Sequence, residues 1–166
     1  MSKNLEQGIN KEPRNLIFEW WQNLKKRKGD RADLRHAKTL DEVFFVPAYH
    51  MLYSKLHTTE WRTRQAIALI AGILARIDSN EIETSFAAQM ASPGKSGRGA
   101  QVSGLRFRRL LQNKSREDIY GSLIRIIHLM GKRANVKDLS ECLYWWNERT
   151  RREWAFKYYE KAPDET

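Results

Sequence analysis

Acidic residues are missing from one stretch of this chain. Between Thr84 and Arg116 there is neither aspartate nor glutamate, while seven basic residues occur: Lys95, Arg98, Arg106, Arg108, Arg109, Lys114 and Arg116. A solvated surface normally mixes both signs, because like charges side by side repel. A one-signed run is tolerated when a polyanion neutralises it, and nucleic acid is the commonest polyanion in a cell. The plainer reading of the same run is a flexible basic loop that aids solubility. Cysteine is nearly missing too. With Cys142 alone no intrachain disulfide can form, so a reducing cytoplasm is the expected setting. No apolar run reaches the roughly 18–20 residues of a membrane span, so no membrane partner is expected. The opening segment MSKNLEQGINKEPRN lacks the apolar region of a signal peptide. Strand signals are almost absent. Only Val43–Val46 reads as a short apolar strand, and it lies in a better helical context.

Assembled catalytic signatures are also lacking. The GKS at 94–96 resembles the end of a phosphate-binding loop, but Gln89 stands where that pattern needs glycine, and no strand precedes it. His36, His50, His57 and His128 form no metal-binding pattern. Cys142 sits on an apolar stripe and reads as a buried thiol rather than a nucleophile. Acidic residues are scattered, and no paired-carboxylate site can be picked out. The nearest helix-turn-helix candidate, Ala68 to Gly72, puts Asp78 where an apolar residue belongs. No enzyme activity, cofactor or metal is expected.

What is present is helical. At 166 residues, 41% of them hydrophobic, the chain can build a core as one domain or as two small subdomains. Residues 13–28 put Leu16, Ile17, Trp20, Trp21 and Leu24 on one face, with Pro13 at a first helical position. Gly29 is expected to stop that helix, and Asp30 to cap a short one through Ala37. Thr39 and Glu42 have capping-box spacing and open a stretch to Leu56 that Pro47 kinks or restarts. Further helices are predicted over 60–77 and 81–90. Others follow from the Ser103 cap, from the Ser115–Asp118 capping box to Gly131, and over 136–159. The expected fold is an all-α bundle of about eight helices. The loop 92–100, SPGKSGRGA, marks a boundary. It suggests an N-terminal helical subdomain over 1–91, a Gly-rich basic loop over 92–101 and a C-terminal subdomain with a basic face over 102–166.

The net charge of +10 is concentrated towards the C-terminal half. Phe107, Leu110 and Leu111 share one helix face, which leaves Arg109 opposite it and Arg106 and Arg108 beside it. In the next helix, Gly121, Arg125, His128 and Lys132 lie opposite the apolar residues. Arg149, Arg151 and Arg152 lie beside or opposite the last apolar stripe. Arginine suits bidentate phosphate contacts. Arg106, Arg109 and Arg125 have no acid three or four residues away, whereas Arg151 and Arg152 can pair with Glu148. The short link at Gln112–Ser115 implies antiparallel packing, which would bring the faces of Arg106, Arg109 and Arg125 side by side. Two tryptophan pairs, Trp20–Trp21 and Trp145–Trp146, can be wholly core only in deeply buried helices. Core or subunit contact is the expected role, and stacking on a base is the alternative.

Four segments in this order resemble the CasB family, the small subunit of the type I-E CRISPR surveillance complex Cascade. They are GDRADLRHA at 29–37, DEVFFVPAYHML at 41–52, VSGLRFRRLLQ at 102–112 and LYWWNERTRREWAFKYY at 143–159. The resemblance runs from Trp20 to Tyr159 and rests on order, spacing and length rather than on one motif. It implies a non-catalytic helical subunit whose copies pair and touch the backbone and large subunits. It also implies nucleic-acid binding with little sequence preference. Such a subunit holds the displaced single-stranded DNA and stabilises the R-loop beside the guide RNA. Carried over by position, the binding residues are Arg35, Arg62, Arg106, Arg109, Arg125, Arg149 and Arg151. Lys132 joins them from the helix face above. His36 is a departure, because relatives can carry a second basic residue there. A free-standing helical DNA-binding regulator and a purely structural spacer are the alternatives.

Overall fold

The computed structural model describes residues 12–95 and 97–162. The first half holds α1 (Pro13–Lys26), α2 (Lys28–His36), α3 (Leu40–Val43), α4 (Pro47–Leu56) and α5 (Arg64–Leu74). The second holds α6 (Phe86–Ala91), α7 (Gly104–Leu111), α8 (Arg116–Leu129), α9 (Val136–Tyr144) and α10 (Glu148–Lys161). The fold is all-α, as expected. Among the described residues the one sheet is a two-residue parallel pair, β1 (Ser79–Asn80) with β2 (Arg133–Ala134).

Helix α5 is the centre. Every residue from Ala66 to Leu74 is buried, so this helix is apolar all round, as a core helix must be. It packs against α3, α4, α8 and α9. Helix α1 lies on α4 and α9, and α6 lies along α10. Elements from either side of the 92–101 segment are therefore in direct contact. Gly72 sets the approach of α5 to α8. A Cβ there would stand 2.6 Å from the Tyr120 ring. That ring cannot swing away, because its hydroxyl donates to Ala37 O at 2.6 Å and accepts from Arg76 Nη1 at 2.9 Å. The glycine weighed as a helix-turn-helix signal is thus a packing position.

Several boundaries differ from the sequence reading. Gly29 lies inside α2, and the chain turns at Arg27, whose backbone leaves the helical region. The segment before Arg64 is not helical. The Tyr144 hydroxyl holds it there by accepting from the N–H groups of Arg62 and Thr63 at 3.0 and 3.2 Å. Val43–Val46, by contrast, lies in the helical context read for it, as the end of α3 and a turn. Helix α6 begins only at Phe86, where the Ser85 hydroxyl accepts from the Ala88 N–H. The predicted 136–159 helix is two helices. Asn147 caps the second by accepting from the Thr150 N–H at 2.9 Å. The break lets Trp146 donate to Asn113 O at 2.8 Å while Trp154 and Tyr158 turn towards α6 and α7. The caps at Thr39, Ser103 and Ser115 form as read.

Candidate nucleic-acid interface

Helices α2, α7 and α8 come together around a groove of about 630 Å³. Four predicted residues line it: Arg35, Arg106, Arg125 and Lys132. Among the described residues no carboxylate lines it. Each side chain arrives for a local reason. Arg106 projects from the first turn of α7, fixed by the Ser103 cap. Arg125 lies on α8 opposite its buried stripe of Ile119, Leu123 and Ile126. Arg35 occupies the last turn of α2, where a cation meets the negative helix end.

Lys132 follows the C-terminus of α8 in an unusual backbone. Gly131 has φ 68° and Lys132 has φ 61°. The Lys132 N–H donates to Ile127 O at 2.9 Å, and the Gly131 N–H to His128 O at 3.1 Å. This Schellman closure satisfies the last carbonyls of α8 and turns the chain into β2. Backbone bonds from Asp78 and Ser79 to Lys132 O then fix the turn against the end of α5.

The cations are not equivalent. Arg76 also lines the groove, but its donors are spent within the fold. It bonds to Gly72 O, Arg35 O and Ala37 O at 2.7–2.9 Å, and to the Tyr120 hydroxyl. It ties α2 to α5. Sequence reasoning missed it, although it is the one charge between Arg64 and Asp78. Arg35 is half committed. Its Nε donates to Ala75 O at 2.7 Å, and its Nη2 pairs with Asp78 at 2.9 Å. Arg31 reaches the same Asp78 oxygen. Burial alone would raise the Asp78 pKa. The Arg31 hydrogen bond and charge, with the charges of Arg35 and Lys132, outweigh it and hold this carboxyl below its ordinary value. Arg106 and Arg125 are exposed and form no ion pair among the described residues.

The other four predicted residues lie outside this groove. Arg109 is exposed on α7 but does not line it. Arg62 is exposed on the segment before α5. Arg149 stands over a separate depression that also holds Asp138, Glu141 and Glu153, so its surroundings are of mixed sign. Arg151 is half-buried and donates to Leu111 O at 3.3 Å, anchoring α10 to the end of α7.

Other candidates take structural places. Cys142 is half-buried, and burial, with the nearby Asp138 charge, pushes its thiol up to about 12. It is no thiolate nucleophile at neutral pH. Among the described residues no group of three His, Cys, Asp or Glu side chains could hold a metal ion. No helix there is long and apolar enough to cross a membrane. Of the six tryptophans, Trp20, Trp21, Trp61, Trp146 and Trp154 are buried. Both members of the first pair are core, with their indole N–H groups donating to Ala48 O and Ile77 O. Trp145 alone is exposed.

Fold and groove together define an all-helical protein with a cationic surface channel. Over residues 30–159 the sequence matches the model of the CRISPR-associated protein Cse2 family. The chain belongs to that family, as the resemblance to CasB implied. It shares its fold with CasB from Thermus thermophilus (TM-score 0.68, 21% identity, covering 90% of this chain and 99% of that one). A chain of E. coli Cascade bound to a PAM-containing double-stranded DNA target is similar to the same degree. There the TM-score is 0.68 and the identity 20%, covering 87% of this chain and 93% of that one. Among curated proteins no match is found.

Proposed function

We propose that this chain is a non-catalytic small subunit of a type I-E Cascade complex. In this reading it binds nucleic acid without reading its sequence. It holds the displaced DNA strand and steadies the R-loop beside the guide RNA. Its partners would be the backbone and large subunits and further copies of itself. The observation that carries the reading is the convergence of Arg35, Arg106, Arg125 and Lys132 on one groove that no carboxylate lines among the described residues. Such a groove gains affinity by releasing counterions and needs no base contacts. R-loop formation nearly balances one duplex against another, so backbone contacts from protein can tip it. In a guide-directed complex, base pairing already reads the sequence.

The test is single-stranded DNA binding by an Arg106→Ala/Arg125→Ala double variant across a range of salt. Affinity should fall about equally for all sequences. The slope of log affinity against log salt should drop by roughly 0.7 per lost phosphate contact. Both side chains are exposed, so the melting temperature should stay near that of the parent. A folded double variant with unchanged affinity and salt slope would overturn the reading.

A further inference from the structure

The groove is not simply a row of charges. Its floor is apolar, made by Ile124, Ile127 and Leu129 of α8. Ile127 is buried, Ile124 is half-buried, and Leu129 is 43% exposed. A channel that took phosphate alone would have no use for this floor, because phosphate oxygens stay hydrated or bond to cations. A large aliphatic side chain held open among arginines instead matches a ligand that is anionic on one side and apolar on the other. The size, about 630 Å³, falls within the roughly 300–1,000 Å³ of ordinary ligand sites.

Resting on the nucleic-acid reading above, we infer that the groove holds an unpaired nucleobase on the Ile124–Ile127–Leu129 floor. The flanking phosphates lie against Arg106, Arg125 and Lys132. A single strand can offer both surfaces at once. A duplex cannot, because its bases are stacked and paired, and it presents only phosphates to a groove of this kind. The floor therefore gives the protein a preference for single strands over duplex without a preference among bases. Every base has an apolar face. The charge complementarity of the rim selects nucleic acid over an apolar peptide.

The experiment compares two strands of equal length with the full chain: a thymidine oligonucleotide and a strand with abasic sugars throughout. The thymidine strand should bind about fivefold tighter. That ratio should hold as salt rises, because the base contact releases no counterions. Leu129→Ser should remove the difference while leaving abasic binding and its salt slope unchanged. A base-linked photoreactive strand should crosslink within residues 124–132. Equal binding of the two strands, both weakened by Arg106→Ala/Arg125→Ala, would overturn the base site and leave the nucleic-acid reading standing. Failure of both strands to bind would defeat both readings. A thymidine preference that survives Leu129→Ser, or crosslinks that fall elsewhere, would place the base outside this groove. The strand comparison and crosslinking use the unmodified protein, so they decide the matter even if the Leu129 variant does not fold.

Discussion

Lys132 is the one non-glycine residue with a positive φ among those described. A lysine held there costs about 1 kcal/mol against glycine, because its Cβ crowds the backbone. Glycine would close α8 with less backbone strain, so the turn itself does not require the lysine side chain. Lys132→Gly should raise stability by about 0.5–1 kcal/mol in denaturant titration. It should also weaken single-stranded DNA binding. A loss of stability would show that the lysine side chain is needed for packing rather than for the groove. Asp78 makes a second residue-scale prediction. Its folded pKa lies below the ordinary value of about 3.9. The carboxylate therefore contributes stability that is fully present above that value and is lost as pH falls through the folded pKa. Asp78→Asn should flatten the acid limb of the stability curve below about pH 4. An acid limb identical to the parent's would show that the pairs with Arg31 and Arg35 contribute nothing, as exposed pairs sometimes do.

At the scale of elements, the decisive contact is α5 against α8. Gly72→Ala should destabilise the protein by about 1–2 kcal/mol, although alanine favours a helix, because the added methyl meets the buried Tyr120 ring. Gly72→Ala with Tyr120→Phe should recover at most part of the loss: the untethered phenyl ring can yield to the methyl, but the hydroxyl bonds to Ala37 and Arg76 disappear. Thermal unfolding of both variants checks this. The helices themselves were largely legible. Their caps at Thr39, Ser103 and Ser115 sit where local chemistry puts them. The break between α9 and α10 was not legible, because Trp145–Trp146–Asn147 carries neither glycine nor proline. Asn147 can be a mid-helix residue or a cap, and only the distant walls that receive Trp146 and Trp154 choose between them.

At the scale of the molecule, the groove draws on four separate stretches of chain. Arg35 is far in sequence from Arg106 and Arg125, and α5 with Arg76 joins them. In an assembled Cascade, the Arg106→Ala/Arg125→Ala variant should form weaker R-loops while guide RNA stays bound at the parental level. Gel-shift of R-loops and RNA quantification on the purified complex measure the two. Loss of guide RNA along with the R-loop would show that these arginines act in assembly, not on the displaced strand. The aromatic wealth that suggested an external role goes mostly inward, since a small helical core takes five tryptophans. What remains outside are Phe45, Trp145, Phe156 and Tyr159, scattered over several elements.

Local physics determined much by itself. Hydrophobic periodicity, capping residues and the absence of strand signals are properties of neighbouring residues, and they made the chain helical. The acid-free run from Thr84 to Arg116 showed one sign of charge before any fold was known. Which arginines act together was beyond that reach. Arg151 and Arg106 both lie off an apolar helix stripe in sequence, yet one reaches back to Leu111 O and the other faces the groove. Arg76 reads as the polar end of a helix and is a half-buried tie between α2 and α5. These assignments depend on which backbone carbonyls, hydroxyls and carboxylates lie within about 3 Å of each guanidinium. Such distances are fixed only when helices remote in sequence pack around α5.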